Sequence, residues 1–413
     1  MKANDFMKFL LILILYPAIM SMYWTIGSSL YFIRYELFSK SRPIPSDLKG
    51  ITFVVACFNE QDTLEETLTS LVHLDYPLKE IIMVNDGSTD YTAAKLTDLK
   101  SSYDFKFINL KENKGKANAL NEAVKEASYD YVLCIDADTV IFDGAPQYMM
   151  THMLNDNSIG AVTGNPRIRN KDSMLGKIQV VEYASIIGGI KRAQSLAGAI
   201  NTVSGVFTLF RKEALEAVGL FDTDMITEDI AMSWNLHLND WKILYEPRAM
   251  CFMLVPETLG GLWKQRVRWS QGGHEVIIRD FKNIIKKGRF PLYLLLLESI
   301  LSIIWIYIIL LTLFFTVMKL DLLNIFSVRE QLSLLVISAL ILTFFNIIQF
   351  LVALFIDVKY ERRNIIGLLF LSWYPTVYWL INGLVVLFAL PKALKRKKGE
   401  FATWTSPDRG DIQ

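Results

Sequence analysis

Carboxylates carry the spacing in this chain that could do chemistry. Asp136-Ala137-Asp138 sets two of them at i and i+2 directly after a short apolar run. Two hard oxygen donors so placed can grip one divalent cation, and Mg2+ or Mn2+ held this way commonly bridges to substrate phosphates. Such a cation would neutralise charge building on a departing diphosphate. An Asp-x-Asp triplet alone is common by chance, so its position matters. Two further apolar runs end the same way, in Asn59-Glu60 and in Asn85-Asp86-Gly87-Ser88. A single strand-end Asp often only caps the next helix; three polar strand ends together make that reading much weaker. Asn113-Lys114-Gly115-Lys116 opens a helical pattern. Lys114 and Lys116 at a helix start suit a phosphate, although a solvated basic helix start fits equally well. The Walker spacing is missing.

These residues must be held by something regular. Short β-rich runs at 51–58, 80–85, 105–110, 130–135 and 159–163 alternate with amphipathic stretches at 61–73, 90–101 and 115–127. Repeated βα units predict an α/β unit with a parallel sheet covered by helices. Ligands bind beyond the carboxyl ends of such strands, which is where the carboxylates gather.

Apolar runs flank this unit at 9–32, 292–318, 332–356 and 366–390, each long enough to cross a bilayer. The first is too long for the core of a cleavable signal peptide. Asn346, Gln349 and Asn382 lie deep in the later runs, where polar groups face protein or a water-filled path; Glu298 sits near an interface. Arg34, Lys40, Arg42 and Lys49, then Lys359, Arg362 and Arg363, mark cytoplasmic loops. The segment 41–291 is therefore expected in the cytosol, with an interfacial region near 258–291, and the protein in the cell membrane. Four simple spans would leave the basic tail of 391–413 outside, against the charge rule. Pro375 allows a broken or re-entrant last segment that returns it.

Hydrophobic residues make up 52% of the 413, and the net charge of +1 gives no field for nucleic acid. Cys57, Cys134 and Cys251 lack metal or redox spacing and are read as structural. His73, His152, His237 and His274 show no ligand spacing; only His274 lies near a later motif.

Two later motifs complete an ordered set: Thr227-Glu228-Asp229 and Gln265-Arg266-Val267-Arg268-Trp269. Asp86, Asp-x-Asp, Glu-Asp and Gln-x-x-Arg-Trp before membrane spans resemble the processive family 2 glycosyltransferases, the group of cellulose, chitin and hyaluronan synthases. The stretches 162–170, 200–210, 260–269 and 403–410 resemble the branch that makes poly-β-1,6-N-acetylglucosamine, a biofilm exopolysaccharide. The resemblance implies a GT-A-type (Rossmann-like) domain inserted between transmembrane helices. It implies that Glu60 and Asp86 hold uridine and that Asp136 and Asp138 carry metal and diphosphate, with Lys116 on the donor side. Asp229, beside Glu228, would be the general base. Gln265, Arg268 and Trp269 would shape the acceptor end, with Arg268 near the diphosphate. The donor would be UDP-N-acetylglucosamine, the product a growing polysaccharide passed through the bilayer, and a small membrane accessory subunit is expected.

A sugar hydroxyl is a poor nucleophile, so a carboxylate must take its proton as attack proceeds. Single displacement then inverts the anomeric centre, with no covalent nucleophile. Trp269 could stack on a sugar face or anchor the chain at the membrane interface. The Arg side chains beside it could equally be interfacial charge. Two other readings stand beside the polymerase: a non-processive transferase adding one sugar to a lipid, and a polymer channel that only binds nucleotide. The intact Asp229 argues against the channel.

Overall fold

The computed structural model describes residues 2–38, 44–322, 326–361, 369 and 374–403. The chain starts in a long apolar helix, α1 (Lys2–Tyr31), that continues into a π-helical turn (Phe32–Leu37). Next come β1 (Ile51–Cys57), α2 (Leu64–His73), β2 (Lys79–Asp86), α3 (Thr92–Leu99), β3 (Lys106–Leu110), α4 (Lys116–Glu126) and β4 (Tyr131–Asp136). These four strands are parallel, as the repeated βα pattern predicts.

The second half departs from that pattern. It runs β5 (Val140–Ile141), α5 (Ala145–Asn155), β6 (Ile159–Ile168), α6 (Met174–Tyr183), a second π-helical turn (Ala184–Gly189), α7 (Ile190–Ala197), β7 (Phe207–Arg211), α8 (Lys212–Ala217), α9 (Glu228–Leu238) and β8 (Lys242–Met253). Eight strands form one sheet in the order β3-β2-β1-β4-β7-β6-β8-β5. β7 is antiparallel to both β4 and β6, and β5 is antiparallel to β8. The sheet is therefore mixed rather than wholly parallel, because β7 enters between β4 and β6 from the opposite direction.

Strand β1 shows how the core is split. All seven of its residues are buried, as expected of a strand covered on both faces. Ile51, Phe53, Val55 and Cys57 pack with Leu64, Leu68 and Leu71 of α2, Leu96 of α3 and the methionines of α5. Val54 and Ala56 point the other way, against Leu120 and Val124 of α4, Leu215 of α8 and Leu236 of α9. The period of two thus divides one strand between two helical layers.

Four helices follow among the described residues: α10 (Leu259–Lys287), α11 (Phe290–Val317), α12 (Val328–Asp357) and α13 (Tyr374–Lys395). Among the described residues, three helical segments are long and apolar enough to cross a membrane: Asn4–Leu37, Phe290–Val317 and Val328–Asp357. Buried polar groups tie them together, as they must where water is absent. Trp305 donates to the Leu13 carbonyl at 2.6 Å, Tyr16 to that of Glu298 at 2.8 Å, and Ser21 to that of Phe345 at 3.1 Å. Asn346 and Gln349 are buried, and Gln349 donates to Ser185 of the second π-helical turn at 3.1 Å. Asn382 donates within its own helix, to the Tyr378 carbonyl at 2.8 Å.

The side of the basic tail is now visible. At the end of α12, Asp357 pairs with Arg167 of β6. Beyond α13, Arg396 donates to the Asp224 carbonyl at 2.8 Å, and Ala402 donates to that of Thr223 at 2.8 Å. The chain therefore leaves and rejoins the α/β unit on the same side, which four simple spans would forbid. Lys40, Arg42, Arg362, Arg363, the Pro375 side chain and residues 404–410 lie outside what is described.

Candidate active site

β1 lies between β2 and β4, and their carboxyl ends come level: Cys57 sits beside Asn85, and Ala56 beside Asp136. Antiparallel β7 starts with Phe207 next to Ile135. The turn before β7 thus enters the same edge from the other direction.

Lys116, the first residue of α4, joins these pieces. Its Nζ lies 2.6 Å from Asp136 and 3.0 Å from Glu228, and it donates to the Gly205 carbonyl at 3.0 Å. Burial alone would weaken its hold on the proton, but the two carboxylates outweigh this and raise its pKa. One ammonium therefore links the end of β4, the start of α9 and the turn into β7.

Glu228 and Asp229 open α9, where the helix dipole favours negative charge. Their neighbours set them apart. Burial would raise Glu228, yet Lys116 reverses this and holds its carboxyl below the ordinary range, with Arg268 adding to the effect. Asp229 goes the other way: burial and the adjacent Glu228 charge push it up to about 6, against Lys116 and Lys191. Asp229 Oδ1 accepts from the Ile230 amide at 2.9 Å. A Cβ on Gly205 would stand 3.0 Å from its Oδ2, so a bare glycine lets the carboxylate reach the cleft.

Asp136 is partly exposed, while Asp138 is buried and accepts from the Thr139 hydroxyl at 3.1 Å. Among the described residues no three His, Cys, Asp or Glu converge on a metal-sized point. Two carboxylates alone would suit a hard divalent ion, which is commonly held by one or two carboxylates together with water and substrate phosphates.

Glu60 and Asp86 are buried and already engaged. Glu60 accepts from the Thr63 hydroxyl at 2.7 Å at the start of α2. Asp86 accepts from the amides of Lys114 and Gly115 at 3.1 and 2.9 Å, so it shapes the loop in front of Lys116. Gly115 has φ +92°, and a Cβ there would come within 2.2 Å of the Ala402 carbonyl oxygen. The tail therefore lies against this loop, with Phe401 beneath Lys114 at 5.8 Å.

Helix α10 supplies the third wall. Gln265 is buried, and its Oε1 has no hydrogen-bond partner among the described residues. Trp269 packs with Ile168, Tyr183, Met253 and Val255. Arg266 lies 4.5 Å over its ring and is paired with buried Glu182 at 2.8 Å. Arg266 is thus held inside the fold by its ring contact and its ion pair. The histidines do not converge: His152 bonds Glu246 and His237 bonds Ile200, while burial lowers His274 to about 4. All three cysteines are buried, and among the described residues none forms a disulfide.

The sequence reading missed Lys191. It is buried on α7, with Nζ 3.3 Å from the Thr163 hydroxyl, which also accepts from the Ser204 amide at 2.7 Å. Burial lowers its pKa to about 8, with Asp229 opposing. Thr163, Ser204 and Gly205 lie in stretches that carried the family resemblance, but Lys191 carried no signal.

Residues 52–219 match the family described as glycosyl transferase family 2. A poly-beta-1,6-N-acetyl-D-glucosamine synthase of Staphylococcus epidermidis is 60% identical over 405 residues, covering 97% of this chain and 98% of its own. A protein of the same name from Staphylococcus aureus is 58% identical over 411 residues, covering 98% and 100%. A solved mannosyltransferase of Pyrobaculum calidifontis, in complex with GDP-Man and Mn2+, shares the GT-A-like fold. Its TM-score is 0.57 at 20% identity, over 92% of this chain and 99% of its own.

Proposed function

The chain belongs to glycosyl transferase family 2 and, within it, to the poly-beta-1,6-N-acetyl-D-glucosamine synthases, and we propose the following reaction for it. It polymerises N-acetylglucosamine from UDP-N-acetylglucosamine into the β-1,6-linked polymer at the cytoplasmic face of the cell membrane and passes the product outward. Asp229 takes the proton of the acceptor hydroxyl as that oxygen attacks the anomeric carbon. The bond from that carbon to the diphosphate breaks in the same displacement, so the centre inverts and UDP leaves. Asp136 and Asp138 would hold Mg2+ or Mn2+, which supplies charge neutralisation at the diphosphate. Lys116 adds fixed positive charge at the same edge, and Arg268 approaches from α10. Glu60 and Asp86 frame the uridine end, while Gln265 and Trp269 shape the acceptor end. A small membrane subunit is a further expected partner.

The observation that carries this reading is the single ammonium of Lys116 bridging Asp136 and Glu228, one residue from a carboxylate raised to about 6. Membranes containing the protein, given each labelled UDP-sugar, test it. A long β-1,6 polymer from UDP-N-acetylglucosamine is expected, and chelating divalent metal should stop its formation. A product carrying a single sugar on lipid would rule out processive synthesis, and activity without any metal would remove the role of Asp136 and Asp138.

A further inference from the structure

A second cavity, of about 830 Å³, lies where the ends of α1 and α12 meet the α/β unit. Tyr31 and Tyr35 come from the end of α1 and its π-helical turn, and Lys359 and Tyr360 follow α12. Tyr245 and Arg248 of β8 line the protein side. The two apolar segments end at Leu37 and Asp357. The cavity therefore sits where hydrocarbon gives way to headgroups, the depth at which tyrosine is enriched.

The charges in its wall are not balanced. Each lining carboxylate has its own cation: Glu36 pairs with Arg192 at 2.6 Å, Glu246 with Arg248 at 2.7 Å, and Asp156 with Lys242 at 2.9 Å. Lys359 donates to the Glu36 carbonyl at 2.6 Å, lies over the Phe32 and Tyr360 rings at 5.9 and 6.0 Å and, among the described residues, has no carboxylate within ion-pair distance. An ammonium with no carboxylate partner among the described residues and several aromatic rings thus line a polar cavity at headgroup depth. Basic pockets between membrane helices on the cytoplasmic side suit anionic headgroups.

We propose that this cavity binds the phosphate headgroup of an anionic phospholipid, with Lys359 as its charge partner. The bound headgroup braces the junction of Glu36 with Arg192.

The test is native mass spectrometry of the full chain in detergent, with thermal unfolding alongside. The probes are phosphatidylglycerol, phosphatidylcholine and inorganic phosphate. Phosphatidylglycerol should remain bound and raise the unfolding midpoint, whereas phosphatidylcholine and inorganic phosphate should do neither. Lys359→Ala should weaken phosphatidylglycerol retention roughly fivefold, and Lys359→Arg should restore it. Equal retention in Lys359→Ala and the unchanged protein overturns the proposal. Equal retention of the two lipids, or displacement by inorganic phosphate, overturns it as well.

Discussion

Asp229 becomes a usable base because of what surrounds it. An exposed carboxylate holds its proton too weakly to draw one from a sugar hydroxyl, whereas burial and the neighbouring Glu228 charge lift Asp229 to about 6. Asp229→Asn keeps the shape and removes the proton acceptor. Turnover should fall by about 10² to 10⁴ while UDP binding, measured by calorimetry, is retained; near-normal turnover in that variant would end the assignment. The base must be ionised to work, so the rate should drop as pH falls through about 6. Lys191 favours the ionised form of Asp229. Lys191→Met should therefore move this acid limb to higher pH, and Lys191→Arg should hold it in place. An unmoved limb in Lys191→Met would leave Lys191 a purely structural role. Nothing in the sequence singles out this lysine. Its hydroxyl partner, Thr163, stands far upstream on β6, and only the folded sheet joins them.

Elements differ in how far the sequence announces them, and packing explains why. β1, β2 and β4 are continuous apolar runs ending in polar residues, the pattern of strands buried on both faces, so their edge and its carboxylates can be read directly. β7 is equally buried, with all five residues inside, but nothing local fixes its direction, which depends on the turn at 203–206. α12 begins before its apolar run because Ser327 and Glu330 form a capping box. The close approach of α10 to the start of α9 also depends on one unannounced residue. A Cβ on Gly272 would fall 2.0 Å from the Thr227 hydroxyl oxygen, so the bare glycine lets α10 press against the cap of the helix that carries the base. Gly272→Ala must push the two helices apart, at about 1–3 kcal/mol. The expected result is at least a roughly tenfold loss of turnover with UDP affinity unchanged. Normal turnover would mean that the α9–α10 spacing does not set the base.

At the scale of the whole molecule, buried ion pairs clamp the α/β unit to the membrane helices: Arg192 to Glu36 at the end of α1, and Arg167 to Asp357 at the end of α12. Removing one partner strands the other charge, so Asp357→Asn should destabilise by about 3–5 kcal/mol. Replacing the pair together, as Arg167→Met with Asp357→Leu, should recover much of this in thermal unfolding; no recovery would show that the single change acts by some other route. The same clamp decides topology. α12 ends against β6, and the stretch after α13 is fastened to Asp224 and, through Arg396 at 3.6 Å, to Glu275 of α10. The chain between these points must return to the side it left, so the basic run near Lys397 shares a compartment with the cleft. Lys397 is exposed, and Lys397→Cys would offer a reactive thiol there, because the native cysteines are buried. In intact cells a membrane-impermeant maleimide should leave it unlabelled, and permeabilisation should expose it. Labelling from outside before permeabilisation would put the cleft and the tail on the outer face, where nucleotide-activated sugars are not made, and the polymerisation reading would fall with it.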